Sequence, residues 1–372
     1  MKIKGETMEK TRENNMDLLR LICCIAVIII HITVGYYDIA MYADKIGRIY
    51  NEGIEFTNLM NCITRFAVPC FVMLAGGFAL SKKQDAKSFY NKKIKTILIP
   101  TLIISVLYFI YYLLKIIGAS IINNTEILKV DIVNLIISFV RGECGYHMWY
   151  LYMMIFIYAI TPILYDIKEK IGDKKFHELG IFLLVISIPF ALTSTHRLNY
   201  DFGFSIYYVG YFILGYTLKK NVVKKSNVKF MTYFILAMML LVINSFIRLD
   251  AIKQGIPDFK YELPYLGHFD IVSNFNILIV LASILIYKAF TNLSFKKNIL
   301  AITKYTFYIY LMHVLVIDVL NYFVLKLTIT PYIAIPLYTV IVFVGSLILS
   351  KIYLFIYKKI ENRIHLENYL KI

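Results

Sequence analysis

The sequence predicts an all-α fold: a polytopic membrane protein with about ten transmembrane helices and both termini in the cytoplasm. Three observations carry that prediction. The chain is 59% hydrophobic and only 17% charged, with a mean hydropathy of +0.66, more apolar surface than a soluble core of 372 residues could hide. Long apolar runs recur from end to end, and in hydrocarbon a helix satisfies its own backbone polar groups. Finally, Lys-rich and Lys-poor loops alternate between those runs, as the positive-inside rule demands.

The apolar runs fall at 17–37, 58–80, 95–118, 147–166, 177–194, 204–219, 229–248, 271–290, 305–326 and 332–357. Residues 1–14 read as a polar, basic cytoplasmic tail, 15–358 as one membrane domain and 359–372 as a second cytoplasmic tail. The apolar stretch at 132–140 is too short to span and reads as a re-entrant or interfacial piece. Basic residues crowd the first tail, the loops after the second, fourth, sixth and eighth runs, and the last tail. The intervening loops carry far fewer: Lys45 and Arg48, Lys129 and Arg141, Arg197, then Lys253 and Lys260. This distribution also explains the net charge of +16 without nucleic acid. No internal repeat, long linker, cleavable leader or appended soluble domain is evident.

Four of the five cysteines, Cys23, Cys24, Cys62 and Cys70, lie in apolar helices without metal-ligand spacing and read as packing residues; the fifth is Cys144. No metal site is expected. Gly76 and Gly77 suit close helix packing. Pro69, Pro100 and Pro162 suit kinks or helix ends.

The first run carries two groups that hydrocarbon disfavours, Arg20 and His31. Eleven residues apart, they differ by roughly 20° around a helix and by about 16 Å along it. One face therefore presents a guanidinium near the cytoplasmic end and an imidazole near the outer end. Arg65 sits in the outer half of the second run and His147 opens the fourth, so three helices each bring a basic group to the outer half. His313 lies near the middle of the ninth run. Ionisable residues at such depth mark function, and neutral imidazoles can act as general bases. Glu143 and Glu55 are candidate partners for Arg65. Lys92, Lys93 and Lys95 open the third run, where they set topology and also suit phosphate. Trp149, Tyr150 and Tyr152 fit an outer aromatic belt.

Together these residues resemble the acyltransferase-3 family of integral membrane acyltransferases. Arg20, ten residues and His31 match its Arg-x10-His pattern. Residues 65–83, RFAVPCFVMLAGGFALSKK, look like its second helix, with Ala75-Gly76 where the family often has Ser-Gly. HMWYLYMMIFIYAITPIL at 147–164 is similar to a helix with a His-x-Trp-Tyr/Phe-Leu start, and YTFYIYLMHVLVI resembles its Tyr-x-x-Tyr-Leu-x-His pattern. One departure stands out: where the family often has Arg-x-x-Arg entering the third helix, this chain has Lys93 and Thr96. Lysines replace the charge but not the bidentate geometry.

The resemblance implies a multi-pass enzyme of the plasma membrane that moves an acyl group, commonly acetyl, from cytoplasmic acyl-coenzyme A to a hydroxyl of a cell-surface or lipid-linked saccharide. Acetyl-CoA would be a donor substrate, with no permanently bound cofactor. His31 would be the general base, with Arg65 and His147 orienting the acceptor or stabilising the oxyanion. Arg20, Lys92, Lys93 and Lys95 would hold donor phosphates. Glu143, Trp149, Tyr150 and His313 are the candidate acceptor contacts. The partners expected are the bilayer, the two substrates and, if the chain does not act alone, a separate extracytoplasmic acyl-handling protein. The competing reading is a transporter or flippase for a small solute or lipid-linked sugar. That reading calls for inverted repeats and matching broken helices, which the sequence does not display.

Overall fold

The computed structural model describes residues 13–44, 53–83, 85–124, 129–142, 145–193, 205–222, 224–254, 261–263, 267–269, 271–324 and 329–370. The described chain is helical apart from one small hairpin. In order it runs α1 (Asn14–Asp44), α2 (Ile54–Thr64), α3 (Ala67–Ala79), α4 (Ala86–Lys93), a π turn (Ile94–Leu98), α5 (Ile99–Asn123), α6 (Lys129–Val140) and α7 (Trp149–Thr193). It continues with a 3-10 turn (Ile206–Tyr208), α8 (Val209–Lys220), α9 (Asn227–Lys253), α10 (Ile277–Asn292), the single turn α11 (Leu300–Thr303), α12 (Thr306–Val324) and α13 (Pro331–Leu370). Between α9 and α10, Tyr261–Leu263 pairs antiparallel with Gly267–Phe269, with Glu262 opposite His268.

Six helical stretches among the described residues are long and apolar enough to cross a membrane: Asn14–Gly35, Ile54–Ala79, Ala86–Asn123, Trp149–Pro189, Asn227–Lys253 and Pro331–Lys359. The helices at Ile277–Asn292 and Thr306–Asn321 are apolar but shorter, and α6 has only 12 residues. The stretch Trp149–Pro189 holds two of the apolar runs, separated where Gly172 takes φ 77° and breaks the helix. A β-carbon is disfavoured at that angle, so a glycine permits the break. The last helix extends to Leu370, beyond the apolar part that ends near Lys359.

Prolines explain the other irregularities. The second apolar run divides at Arg65 and Phe66. Pro69 has no N–H to return to the Arg65 carbonyl, so one rung of the ladder is missing there. The π turn likewise precedes Pro100, which occupies the first turn of α5.

The backbones of α3 and α8 meet closely where the two helices cross. A Cβ at Gly76 would collide with the Phe212 carbonyl, and one at Gly215 with the Met73 carbonyl. Packing of small residues lets two membrane helices approach like this. The Tyr287 hydroxyl then bonds the Gly215 carbonyl at 2.9 Å, tying α10 to the same crossing.

Helix ends gather at two opposite places. At one, Asn15 donates to the Phe290 carbonyl at 2.8 Å, Lys219 reaches Glu13 at 2.8 Å, and the buried Lys168 donates to the Leu80 carbonyl at 3.0 Å. A lysine on the last free carbonyls of α3 is a favourable helix end. Two of these contacts join the start of α1 to the ends of the sixth and eighth apolar runs, and the third joins the ends of the second and fourth. At the other place Lys253 meets Glu55 at 3.2 Å, Asn274 donates to the Tyr208 hydroxyl at 2.8 Å, and Gly53 abuts Pro331.

Candidate active site

Three imidazoles that are far apart in sequence converge. His31 comes from α1, His147 from the turn that opens α7, and His313 from α12. The His31 and His313 ring centroids are 5.2 Å apart, and those of His147 and His313 are 4.9 Å apart. His147 and His313 are fully buried, whereas His31 is half-buried. Of the three, His31 is thus the least buried.

Aromatic rings wall the cluster. Tyr146 lies 4.8 Å from His31, Tyr108 5.4 Å from His147, and Tyr310 5.5 Å from His147 and 5.4 Å from His313. Tyr310 also donates to the His147 carbonyl at 2.7 Å. His313 Nδ1 sits 2.6 Å from the Tyr310 carbonyl. A carbonyl only accepts, so Nδ1 carries a proton, and in the neutral ring Nε2 is left with its lone pair. That Nε2 has no hydrogen-bond partner among the described residues, and neither ring nitrogen of His147 has one in good geometry. The turn of α12 that carries His313 is held from α5. The Tyr108 hydroxyl accepts from the Leu315 N–H at 3.0 Å and donates to the Leu311 carbonyl at 3.1 Å. It thereby sits at both ends of one rung of the helix.

Arg65 occupies the α2–α3 joint. Its Nε and Nη2 donate to Asn61 Oδ1 at 2.9 and 2.6 Å. The same oxygen accepts from Arg248 Nη1 at 3.0 Å, and the Asn61 amide donates to Thr33 Oγ1 at 2.7 Å. One asparagine therefore gathers two guanidinium groups and pins them to α1, two residues beyond His31. Arg248 is the largest fully buried side chain described. Glu55, a candidate partner for Arg65, instead accepts from Lys253 at 3.2 Å. Glu143 lies outside the described residues. Asn58, Ser245, Asn244 and Asn276 extend this polar seam between α2, α9 and the start of α10.

At the other end of the α1 face, Arg20 donates to Asp17 Oδ1 at 2.6 Å and lies 5.6 Å from the centre of the Phe78 ring. Lys219 covers the same ring at 4.0 Å. Lys93 is half-buried over Tyr158, 3.6 Å from its centre, while Lys92 and Lys95 are exposed. Tyr150 packs on Phe71 and Tyr310 at 6.1 and 5.3 Å, and Trp149 packs on Tyr208 at 6.0 Å. Tyr152 reaches Ser105 at 3.2 Å. These three rings thus face protein neighbours. Cys23, Cys24, Cys62 and Cys70 are buried free thiols. No group of three or more His, Cys, Asp or Glu suited to a metal occurs among the described residues.

The structure therefore brings His31, His147 and His313 together, and ties Arg65 to α1 through Asn61. Arg20 lies at the other end of the α1 face, and Lys93 lies over Tyr158 of α7. Sequence reasoning missed Asp17, Asn61, Arg248, Tyr108 and Tyr146. Only Asp17 had a local signal, three residues before Arg20 on the same helix.

An imidazole cluster is thus linked by one helix face to a cationic end, inside a helical scaffold with stretches long and apolar enough to cross a membrane. The chain belongs to the acyltransferase-3 family: the family profile, described as an acyltransferase domain, matches residues 13–352. A curated relative, an amino-acid racemase of Enterococcus faecalis, is 31% identical over 142 residues, covering 38% of this chain and 18% of that protein. The chain thus spans under a fifth of that relative's length. No solved structure matches.

Proposed function

We propose that this member of the family is a membrane O-acyltransferase, in the first instance an O-acetyltransferase. It moves the acyl group of cytoplasmic acyl-coenzyme A to a hydroxyl of a cell-surface or lipid-linked saccharide at the plasma membrane. The observation that carries this reading is the α1 face: Arg20 at one end and His31, within an imidazole cluster, about 16 Å along it. That is of the order of an extended pantetheine arm. The gathered helix ends support a reading of ten spans with both termini cytoplasmic, and on that topology Arg20 stands at the donor side and His31 toward the acceptor side.

In this mechanism Arg20 and Lys93 hold the donor phosphates, with the exposed Lys92 and Lys95 adding field strength. His31 takes the proton of the acceptor hydroxyl as its oxygen attacks the thioester carbonyl. Arg65 and His147 stand for the developing oxyanion or the acceptor's orientation. The ester C–O bond forms, the C–S bond breaks, and the proton passes from His31 to the leaving thiolate, releasing coenzyme A as a thiol. His313, Trp149 and Tyr150 support the reacting groups, and Glu143 remains a candidate acceptor contact.

The experiment is label transfer. Proteoliposomes receive acetyl-coenzyme A labelled in the acetyl group, together with a saccharide extract of the cell envelope. Alkali-labile label on saccharide is the expected result. Movement of saccharide across the bilayer without any label transfer would overturn the reading in favour of a transporter.

A further inference from the structure

Beside the imidazole cluster lies an open cleft of about 510 Å³, lined by Tyr112, Lys115, Asp131, Asn134, Ser138 and Tyr146 among others. That volume is in the range of small-molecule sites. Helix spacing produces it from both sides. From α5 come Tyr112, Lys115, Ile116 and Ala119, and from α6 come Asp131, Asn134, Leu135 and Ser138. Each set follows i, i+3, i+4, i+7, so each is one face of its helix. The other face of α6 shows Val130, Val133, Ile137 and Val140, all exposed. That is the pattern of a short helix lying in a membrane interface with its apolar side in lipid. Here the polar side faces a protein cleft instead of water.

The cleft leads to the site. Tyr146 is part of its wall and lies 4.8 Å from the His31 ring. Lys115 is fixed by Asp318 of α12 at 2.8 Å, and Tyr111 donates to the same carboxylate at 2.7 Å. The cleft wall is therefore braced against the helix that carries His313. Asp131, Asn134 and Ser138 have no side-chain hydrogen bond to another residue among those described. A carboxylate, an amide and a hydroxyl within one helical stripe offer both donors and acceptors. Two tyrosine rings add flat apolar surface.

We infer that the α5–α6 cleft is the acceptor subsite and that it holds a saccharide ring, admitted beneath the interfacial helix and presented past Tyr146 to His31. A sugar matches the lining because its hydroxyls both donate and accept while its C–H face packs on an aromatic ring. The α1 face leaves the opposite, cationic end to the donor. This inference rests on the acyl-transfer reading for its chemistry but not for its binding test.

Two measurements separate the two claims. In a Cys144→Ser background, the other four cysteines being buried, Ser138→Cys is labelled with a membrane-impermeant maleimide. The envelope saccharide extract is expected to slow labelling, and the same extract depleted of saccharide is not. Equal labelling rates with and without saccharide overturn the subsite, whatever the enzyme's activity. Separately, Ser138→Trp fills the cleft. Acceptor KM is expected to rise about tenfold or more, while affinity for acyl-coenzyme A stays within about twofold. An unchanged acceptor KM overturns the subsite while leaving the acyl-transfer reading standing.

Discussion

The two ends of α1 handle basic groups in opposite ways. Around the Arg20 end several cations are answered by fixed partners: Asp17 for Arg20, Glu13 for Lys219, the Leu80 carbonyl for Lys168, and aromatic faces for Lys93 and Lys219. At the His31 end the basic groups are imidazoles, held ring against ring with tyrosines. A guanidinium or ammonium stays charged and needs a lasting partner, whereas an imidazole can change charge within a reaction cycle. In the proposed reaction the first end holds the charged donor and the second moves a proton. Asn61 is the exception that sharpens the contrast. It brings Arg65 and Arg248, two permanent charges, to the imidazole end and fixes them to α1.

Replacing Asn61 therefore tests the division most severely. Asn61→Ala removes the oxygen that gathers both guanidinium groups. A loss of about 1.5–3 kcal/mol per charged hydrogen bond is expected, read as a fall in Tm in detergent. An Asn61→Ala protein as stable as wild type would show that the Arg pair is held elsewhere. Next in size is the donor end. Arg20→Gln is expected to raise KM for acyl-coenzyme A roughly tenfold with kcat little changed, and the penalty should shrink as salt is added. A fall in kcat alone would place Arg20 with the proton-transfer machinery and erase the distinction between the ends.

Smaller effects come from the supports. Tyr108→Phe deletes the hydroxyl on the α12 turn that bears His313. About 0.5–1.5 kcal/mol of stability should go with each hydrogen bond lost, with slower transfer and unchanged donor binding. The lysines give the finest test. Lys93→Gln should weaken donor binding measurably by calorimetry, whereas Lys92→Gln and Lys95→Gln should change it by less than about twofold, as expected for exposed cations.

The spacing of Arg20 and His31 was readable because both lie on one helix, where counting residues gives the face. The close α3–α8 crossing was foreshadowed by Gly76-Gly77, and the brevity of α6 by the shortness of its apolar stretch. Other features left no local trace. Asn61 meets Arg248 across 187 residues, and Tyr108 meets Leu311 across 203. Neither pairing has a period to follow, and an asparagine or tyrosine within an apolar run looks the same whether it bonds an arginine or merely packs. Arg248 closes an apolar run at its end, where a residue snorkelling to the interface is the ordinary expectation, yet it is buried. The α6 stripe of Asp131, Asn134 and Ser138 was present in the sequence. Its meaning needed the facing stripe on α5, which only the fold supplies.

The central claim is that His31 moves the proton. It is tested most directly by release of free thiol from acetyl-coenzyme A in proteoliposomes supplied with envelope saccharide, comparing wild type with His31→Gln at matched folded amounts. The account predicts steady thiol release by the wild type and a fall of about 10²- to 10⁴-fold in the variant, with donor affinity preserved. A folded His31→Gln protein that releases thiol at the wild-type rate would contradict it.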